Sequence, residues 1–224
     1  MIVLGIDTAA NLCAATVYDT ASHTARATRS DDIGRGHAEH LPALIADVMD
    51  DARLTYGQLH AIAVTIGPGT FTGIRVGVSM ARGFALALGL EAKGVTTLQA
   101  IAADAIADSA IKGPFTVAIE GGRGQIFAQC FDVRGLAFGD PRQVALDNAA
   151  DVLTPDTKTI VGNAADAVAQ ASGRTLLARA LPVATGTIET IARLGASATM
   201  PASPLYLRGA DAKPQTGFAL ERAP

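Results

Sequence analysis

The chain has 224 residues, 49% of them apolar and 17% charged, with a formal net charge of −3. That is enough chain for one large core or two small ones, and the scattered basic residues exclude the dense positive field with which a protein grips nucleic acid unaided. Cys13 and Cys130 are too far apart for a C-x-x-C site, a reducing cytoplasm is the expected setting, and no apolar run reaches the roughly 18 residues that suggest a membrane span.

In chain order, residues 3–19, "VLGIDTAANLCAATVYD", read as a hairpin: an apolar strand ending in Asp7, a polar turn, and an alternating strand ending in Tyr18-Asp19. Residues 23–30 alternate like a third, exposed strand. Leu41, Leu44, Ile45 and Val48 recur at i, i+3, i+4 and i+7 on an amphipathic helix over 38–51, with Pro42 expected in its first turn. "AIAVTI" (61–66) is a buried strand, Gly67-Pro68-Gly69-Thr70 a tight loop, and a helix rich in Gly and Ala follows to residue 89. Residues 96–107 form another helix, capped by Thr96 or Thr97. Lys112-Gly113-Pro114 mark a junction at 108–114, dividing the chain into lobes 1–110 and 111–224.

Residues 116–132, "TVAIEGGRGQIFAQCFD", align with 3–19 without a gap, Glu120 taking the place of Asp7 and Phe131-Asp132 that of Tyr18-Asp19. Either two hairpins of an α/β protein are alike by chance, or the fold is duplicated. The duplicated reading predicts an α/β protein of two lobes, each a mixed sheet with packed helices. Residues 159–171 read as strand, turn and helix, and an extended tail is expected after "PLYLR" (204–208).

Three features bear on chemistry. Strand, Gly67-Pro68-Gly69-Thr70 and helix bring backbone N–H groups and a positive helix end to one spot, which is a physical recipe for an anion site. The loop has no Walker lysine, and close strand-to-helix packing explains the glycines equally well. Asp7 and Glu120, as paired strand-end acids, are placed to face a central cleft where carboxylates of phosphotransfer folds hold Mg²⁺, and Arg123 is placed to meet an anion. His37 and His40 lack a third ligand, so no metal is expected.

At this point several stretches resemble one known family. The opening "VLGIDT", then "GHAEHLPALI" (36–45), "AIAVTIGPGTFTGIRVGVSMARGFALAL" (61–88) and "GVTTLQAIA" (94–102) are similar to the TsaB (YeaZ) family over roughly the first 105 residues. The second half departs from the family pattern Asp-Ala-Arg-x-Gly-Glu-Val-Tyr: this chain has Glu120-Gly-Gly-Arg123-Gly-Gln125-Ile-Phe127. The resemblance implies the two-lobed fold of actin, hexokinase and Hsp70. It also implies a non-catalytic role beside TsaD in forming N6-threonylcarbamoyladenosine at position 37 of tRNAs reading codons that begin with A. The catalytic paralogue's His-x-x-x-His metal pair falls here near Thr97 and Ile101, which cannot serve as such ligands.

The resemblance therefore implies a TsaD-like catalytic subunit as partner, a TsaE-like ATPase as a further one, a homodimer when the chain is alone, and tRNA contacted only indirectly. No cofactor is expected for this chain alone; ATP or ADP would belong at a subunit interface. Asp7, Gly67, Gly69, Thr70, Glu120 and Arg123 would then line a vestigial nucleotide cleft. A small-molecule kinase of the actin-like fold and a metallopeptidase-like protein are the alternative functions.

The helix after the glycine loop supplies the expected interface. Gly73, Gly77, Ala81, Ala85 and Gly89 form one i+4 ridge of small side chains beside a bulky ridge of Val76, Met80, Phe84 and Leu88, with Ile74, Val78 and Leu86 adding a further apolar stripe. Glycines this frequent in a helix are expected where backbones approach closely. One face is expected to pack on its own sheet and the other to meet the partner, joined by Leu41, Leu44 and Ile45 of the 38–51 helix. The alternative is that both faces are internal.

Overall fold

Period-two alternation carries the start of the chain into β1 (Ile2–Asp7), β2 (Leu12–Asp19) and β3 (Thr24–Asp32), an antiparallel meander. A computed structural model describes residues 1–107, 111–182 and 184–207. Part of the expected junction, residues 108–110, and the expected tail after residue 208 lie outside the described residues. Helix α1 (His37–Asp51) follows, then β4 (Ala61–Gly67), α2 (Phe71–Leu88), β5 (Ala92–Thr96) and α3 (Thr97–Ala107). Pro42 lies in the second turn of α1 rather than the first, because the helix starts at His37 behind Gly36 in a left-handed conformation (φ 85°). Thr96 is the cap expected for α3: its hydroxyl accepts from the Gln99 N–H at 3.0 Å, while the Gln99 side chain accepts the Thr96 N–H at 3.2 Å.

The second half repeats the plan with β6 (Phe115–Gly122), β7 (Gln125–Phe131), β8 (Ala137–Ala145), β9 (Thr159–Val161), α4 (Ala165–Ala171), β10 (Leu177–Arg179) and α5 (Ile188–Ser197). The two five-stranded sheets have orders β3-β2-β1-β4-β5 and β8-β7-β6-β9-β10, with matching antiparallel and parallel neighbours. The fold is thus the expected α/β pair of mixed sheets, each with packed helices.

Each half lends a helix to the other. Helix α5, past the 110/111 division, lies across β1, β2 and β4, while α3 packs on β6, β7 and β9. The two helices touch each other and fill the space between the sheets. The approach of α5 is close because small residues meet there: a Cβ on Gly5 would stand 2.9 Å from the Ala192 methyl. The opposite face of the first sheet carries Leu4, Ile6, Ile62 and Val64 into a core with α1 and α2. Leu41 and Ile45 of α1, both fully buried, and Leu44, 3% exposed, belong to that core.

One detail separates the halves. Val3 pairs with Tyr18, but their sequence counterparts do not pair with each other: Thr116 faces Cys130, and Phe131 faces Phe115. A one-residue slip reverses which face a side chain occupies. By pairing, therefore, the counterpart of Asp7 is the fully buried Ile119, not Glu120.

Candidate docking face and inter-lobe cleft

The glycine loop and the start of α2 are packed against the β1–β2 turn. The Thr70 N–H donates to the Ala9 carbonyl at 2.7 Å, and the Thr8 hydroxyl donates to the Gly73 carbonyl at 2.7 Å. A Cβ on Gly69 would collide with the Ala9 carbonyl, one on Gly73 with the Thr8 carbonyl, and one on Gly77 would stand 2.5 Å from the Thr8 hydroxyl oxygen. Close backbone approach accounts for these glycines, and the protein's own carbonyl takes the first N–H of the would-be anion cradle.

That packing corrects the expected interface. The small ridge of Gly73, Gly77, Ala81 and Ala85 faces inward, as do Ile74 and Val78, because only small side chains let α2 settle onto β1 and β4. Leu41, Leu44 and Ile45 are likewise internal. Of the interface residues expected from sequence, Met80 and Phe84 are the two that remain half-exposed.

The outward face of α2 is nonetheless apolar. Val76, Met80, Gly83, Phe84 and Ala87, with Ala38 of α1, line an open groove of about 740 Å³. Phe84 is held from behind by Tyr56, their rings stacked with centroids 5.4 Å apart. Leu86, on the same exposed side of the helix, is 87% exposed. At one end of the groove Phe71 and Tyr206, 56% and 51% exposed, both contact Arg75. Sequence reasoning missed this group. Phe71 and Arg75 stand at i and i+4 on a helix that was recognised, but Tyr206 comes from the other end of the chain and no local signal connects it.

The expected cleft residues are only partly assembled. Gly69, Thr70 and Glu120 line one space of about 410 Å³ between the halves, with Ala10, Asn11, Gly121 and Asn163. Gly67 is buried at the strand end (φ 103°), and Arg123 is exposed in the hairpin turn (φ 52°). Asp7 and Glu120 do not face each other across the cleft: Asp7 shares the face of Val3 and Gly5, covered by α5, whereas Glu120 shares the face of Ala118, covered by α4. The register slip described above is the cause.

Asp7 lies instead at the floor of a separate pocket of about 380 Å³, with Asp104, Thr185 and Glu189. It is 1% exposed, and its two oxygens accept the Thr185 hydroxyl at 2.5 Å and the Ala9 N–H at 2.9 Å. Burial pushes its carboxyl above the ordinary range, opposed by hydrogen bonds from Thr185, Ala9 and Thr65 and by the nearby His37. Burial likewise pushes the Cys13 thiol up to about 11, leaving little thiolate for chemistry. His37 is buried, while His40 pairs with Asp31 at 2.6 Å, so the two side chains diverge. Among the described residues no group of three or more His, Cys, Asp or Glu is placed to hold a metal ion.

Comparison with known proteins fits this geometry. A family model described as tRNA N6-adenosine threonylcarbamoyltransferase (TsaD) matches residues 28–199. An uncharacterized protein of Mycobacterium tuberculosis is 36% identical over 109 residues, covering 49% of this chain and 52% of its own length. The tRNA threonylcarbamoyladenosine biosynthesis protein TsaB of Escherichia coli is 30% identical over 102 residues, 46% of this chain and 43% of its own. The chain thus spans about half the length of these curated relatives. The solved structure of YeaZ from Pseudomonas aeruginosa superposes with a TM-score of 0.76 at 22% identity, over 92% of this chain and 99% of that one, which establishes a shared fold. Similar proteins thus include ones named TsaB and YeaZ, and the chain belongs to the family that the threonylcarbamoyltransferase model describes.

Proposed function

We propose that the chain is a non-catalytic subunit in tRNA threonylcarbamoyladenosine formation, which binds and positions a TsaD-like catalytic subunit through the outward face of α2. The observation that carries this is the exposed apolar groove of about 740 Å³ on a helix whose other side is fully occupied by its own lobe. Two features of the cleft support the non-catalytic part. The Gly67–Thr70 loop has no phosphate-gripping lysine, and the second sheet has Ile119 where a paired carboxylate would stand. A cytoplasmic setting, a homodimer through the same face when the partner is absent, and docking of a TsaE-like ATPase belong to the same reading. So do contact with tRNA only through the complex, and ATP or ADP held only at a subunit interface.

The test is to mix the chain with the catalytic subunit and follow association by light scattering, with transfer of threonylcarbamoyl to tRNA measured alongside. Wild type is expected to form a defined complex and raise transfer, and Met80→Glu, a charge placed in an apolar contact, to weaken association by about 100-fold or more at unchanged thermal stability. ATP turnover by the isolated chain above a buffer control would favour the kinase reading instead. Unaltered association of a folded Met80→Glu would move the interface away from α2.

A further inference from the structure

We infer that Arg75, stacked on Phe71 and hydrogen-bonded to Tyr206, is the charged anchor of the docking face and takes a carboxylate of the catalytic subunit. This rests on the partnership proposed above and names the chemistry the partner must bring. The Arg75 guanidinium lies 3.7 Å from the Phe71 ring centroid and 5.6 Å from that of Tyr206, and its Nε donates to the Tyr206 hydroxyl at 2.9 Å. The two rings are 5.7 Å apart, so Arg75 and both aromatics form one group at the end of the groove.

Stacking on Phe71 and the bond to Tyr206 fix the plane of the fork and use its Nε. Among the described residues Arg75 has no carboxylate partner, which leaves both Nη groups as donors at an apolar surface. A guanidinium held flat on an aromatic ring loses little freedom when it binds, is weakly hydrated, and matches a carboxylate in two parallel hydrogen bonds. The only charges on α2 are Arg75 and Arg82, so its outward face offers cations and no competing anion. The complementary occupant is an apolar surface of the catalytic subunit that carries an Asp or Glu beside its buried side chains.

Tyr206 gives the closing segment a part in this. The Leu205 N–H donates to the Ile66 carbonyl at 2.8 Å, at the end of β4, and so seats Tyr206 at the start of α2 although 131 positions separate it from Arg75. The segment therefore completes the face by fixing Arg75 in its binding orientation.

The test compares Arg75→Ala, Arg75→Lys and Tyr206→Phe with wild type in titrations against the purified catalytic subunit, with a thermal melt of each. Dissociation constants are expected to rise about 50-fold or more for Arg75→Ala and about 10-fold for Arg75→Lys, which keeps the charge but loses the fork. Tyr206→Phe, which keeps the ring but removes the hydroxyl, is expected to cost about 3- to 5-fold. Both residues are exposed, and melts within a degree or two of wild type are expected for all three variants. If Arg75→Ala binds within twofold of wild type while Met80→Glu does not bind, the anchor is overturned and the partnership stands. Equal affinity for Arg75→Lys and wild type overturns the two-bond carboxylate. Failure of the wild-type chain to bind the subunit overturns the partnership itself.

Discussion

The two halves share a strand order but diverge in their helical layers and at their strand ends. In the first, α1 and α2 run for 15 and 18 residues; in the second, the corresponding positions hold a 3-10 turn (Leu146–Val152) and the seven-residue α4. At the far end of each hairpin the chemistry is kept: Asp19 pairs with Arg26 at 2.6 Å and Asp132 with Arg134 at 3.0 Å. At the near end it is lost, with a buried carboxylate in one half and Ile119 in the other. Sheet pairing constrains many residues at once and survives divergence, whereas a helix can shorten and a strand-end residue can change without disturbing the ladder. The long helix of the first half accordingly carries the proposed docking face.

The hardest test of that division uses two glycines of α2. Gly77→Leu pushes a side chain into Thr8 and Val64 and should cost about 3 kcal/mol or more. Gly83→Ala, on the outward side with nothing within 4 Å of the added methyl, should instead gain about 1 kcal/mol. Thermal melts of the two variants should therefore move in opposite directions, and a tolerated Gly77→Leu would mean that the inward face is not packed as described.

The strand ends predict a smaller contrast. Asp7→Ala leaves the Thr185 hydroxyl and the Ala9 N–H without their acceptor and should cost about 1–3 kcal/mol in urea unfolding. Glu120→Ala, at an exposed position, should stay within about 0.5 kcal/mol of wild type. Similar losses for both would restore the idea of a matched acid pair.

The smallest effect is in pH dependence, and its sign differs between the two ends. The Asp7 carboxyl is raised by burial, so its contribution is fully present below the ordinary carboxylate range and is lost as pH rises through its raised value. The Asp19 carboxyl is held down first by the Arg26 hydrogen bond, and the Asp132 carboxyl first by the Leu136 N–H. Their contributions are present above the ordinary range and are lost as pH falls. Urea midpoints from about pH 3 to 7 should show Asp7→Asn gaining on wild type as pH rises, and Asp19→Asn or Asp132→Asn closing the gap as pH falls.

Much of this was legible in the sequence. Both hairpins, α1, β4, α2 and the Thr96 cap follow from period, capping chemistry and turn residues. The edge strand β8 was not, because Gly139 and Pro141 interrupt its alternation and most of its residues are exposed. Helix α5 carried a usable signal that went unread: Thr187 as cap, then Ile188, Ile191, Ala192 and Gly195 buried at i, i+3, i+4 and i+7. The proposed docking face was half legible. Spacing revealed two apolar ridges on α2 but could not say which one faced the sheet, and a gapless alignment could not show that Glu120 had changed faces.

The exchange of helices between the halves also governs how the protein is made. The five strands of the first sheet have all been synthesised by Thr96, but the face that carries Val3, Ala61 and Ala63 has no cover until Ile191 and Ala192 leave the ribosome. At roughly 5–20 residues per second that interval is on the order of 5–20 s. Throughout it the nascent chain displays a sheet face made for burial, because the order of its segments puts the strands well before their cover.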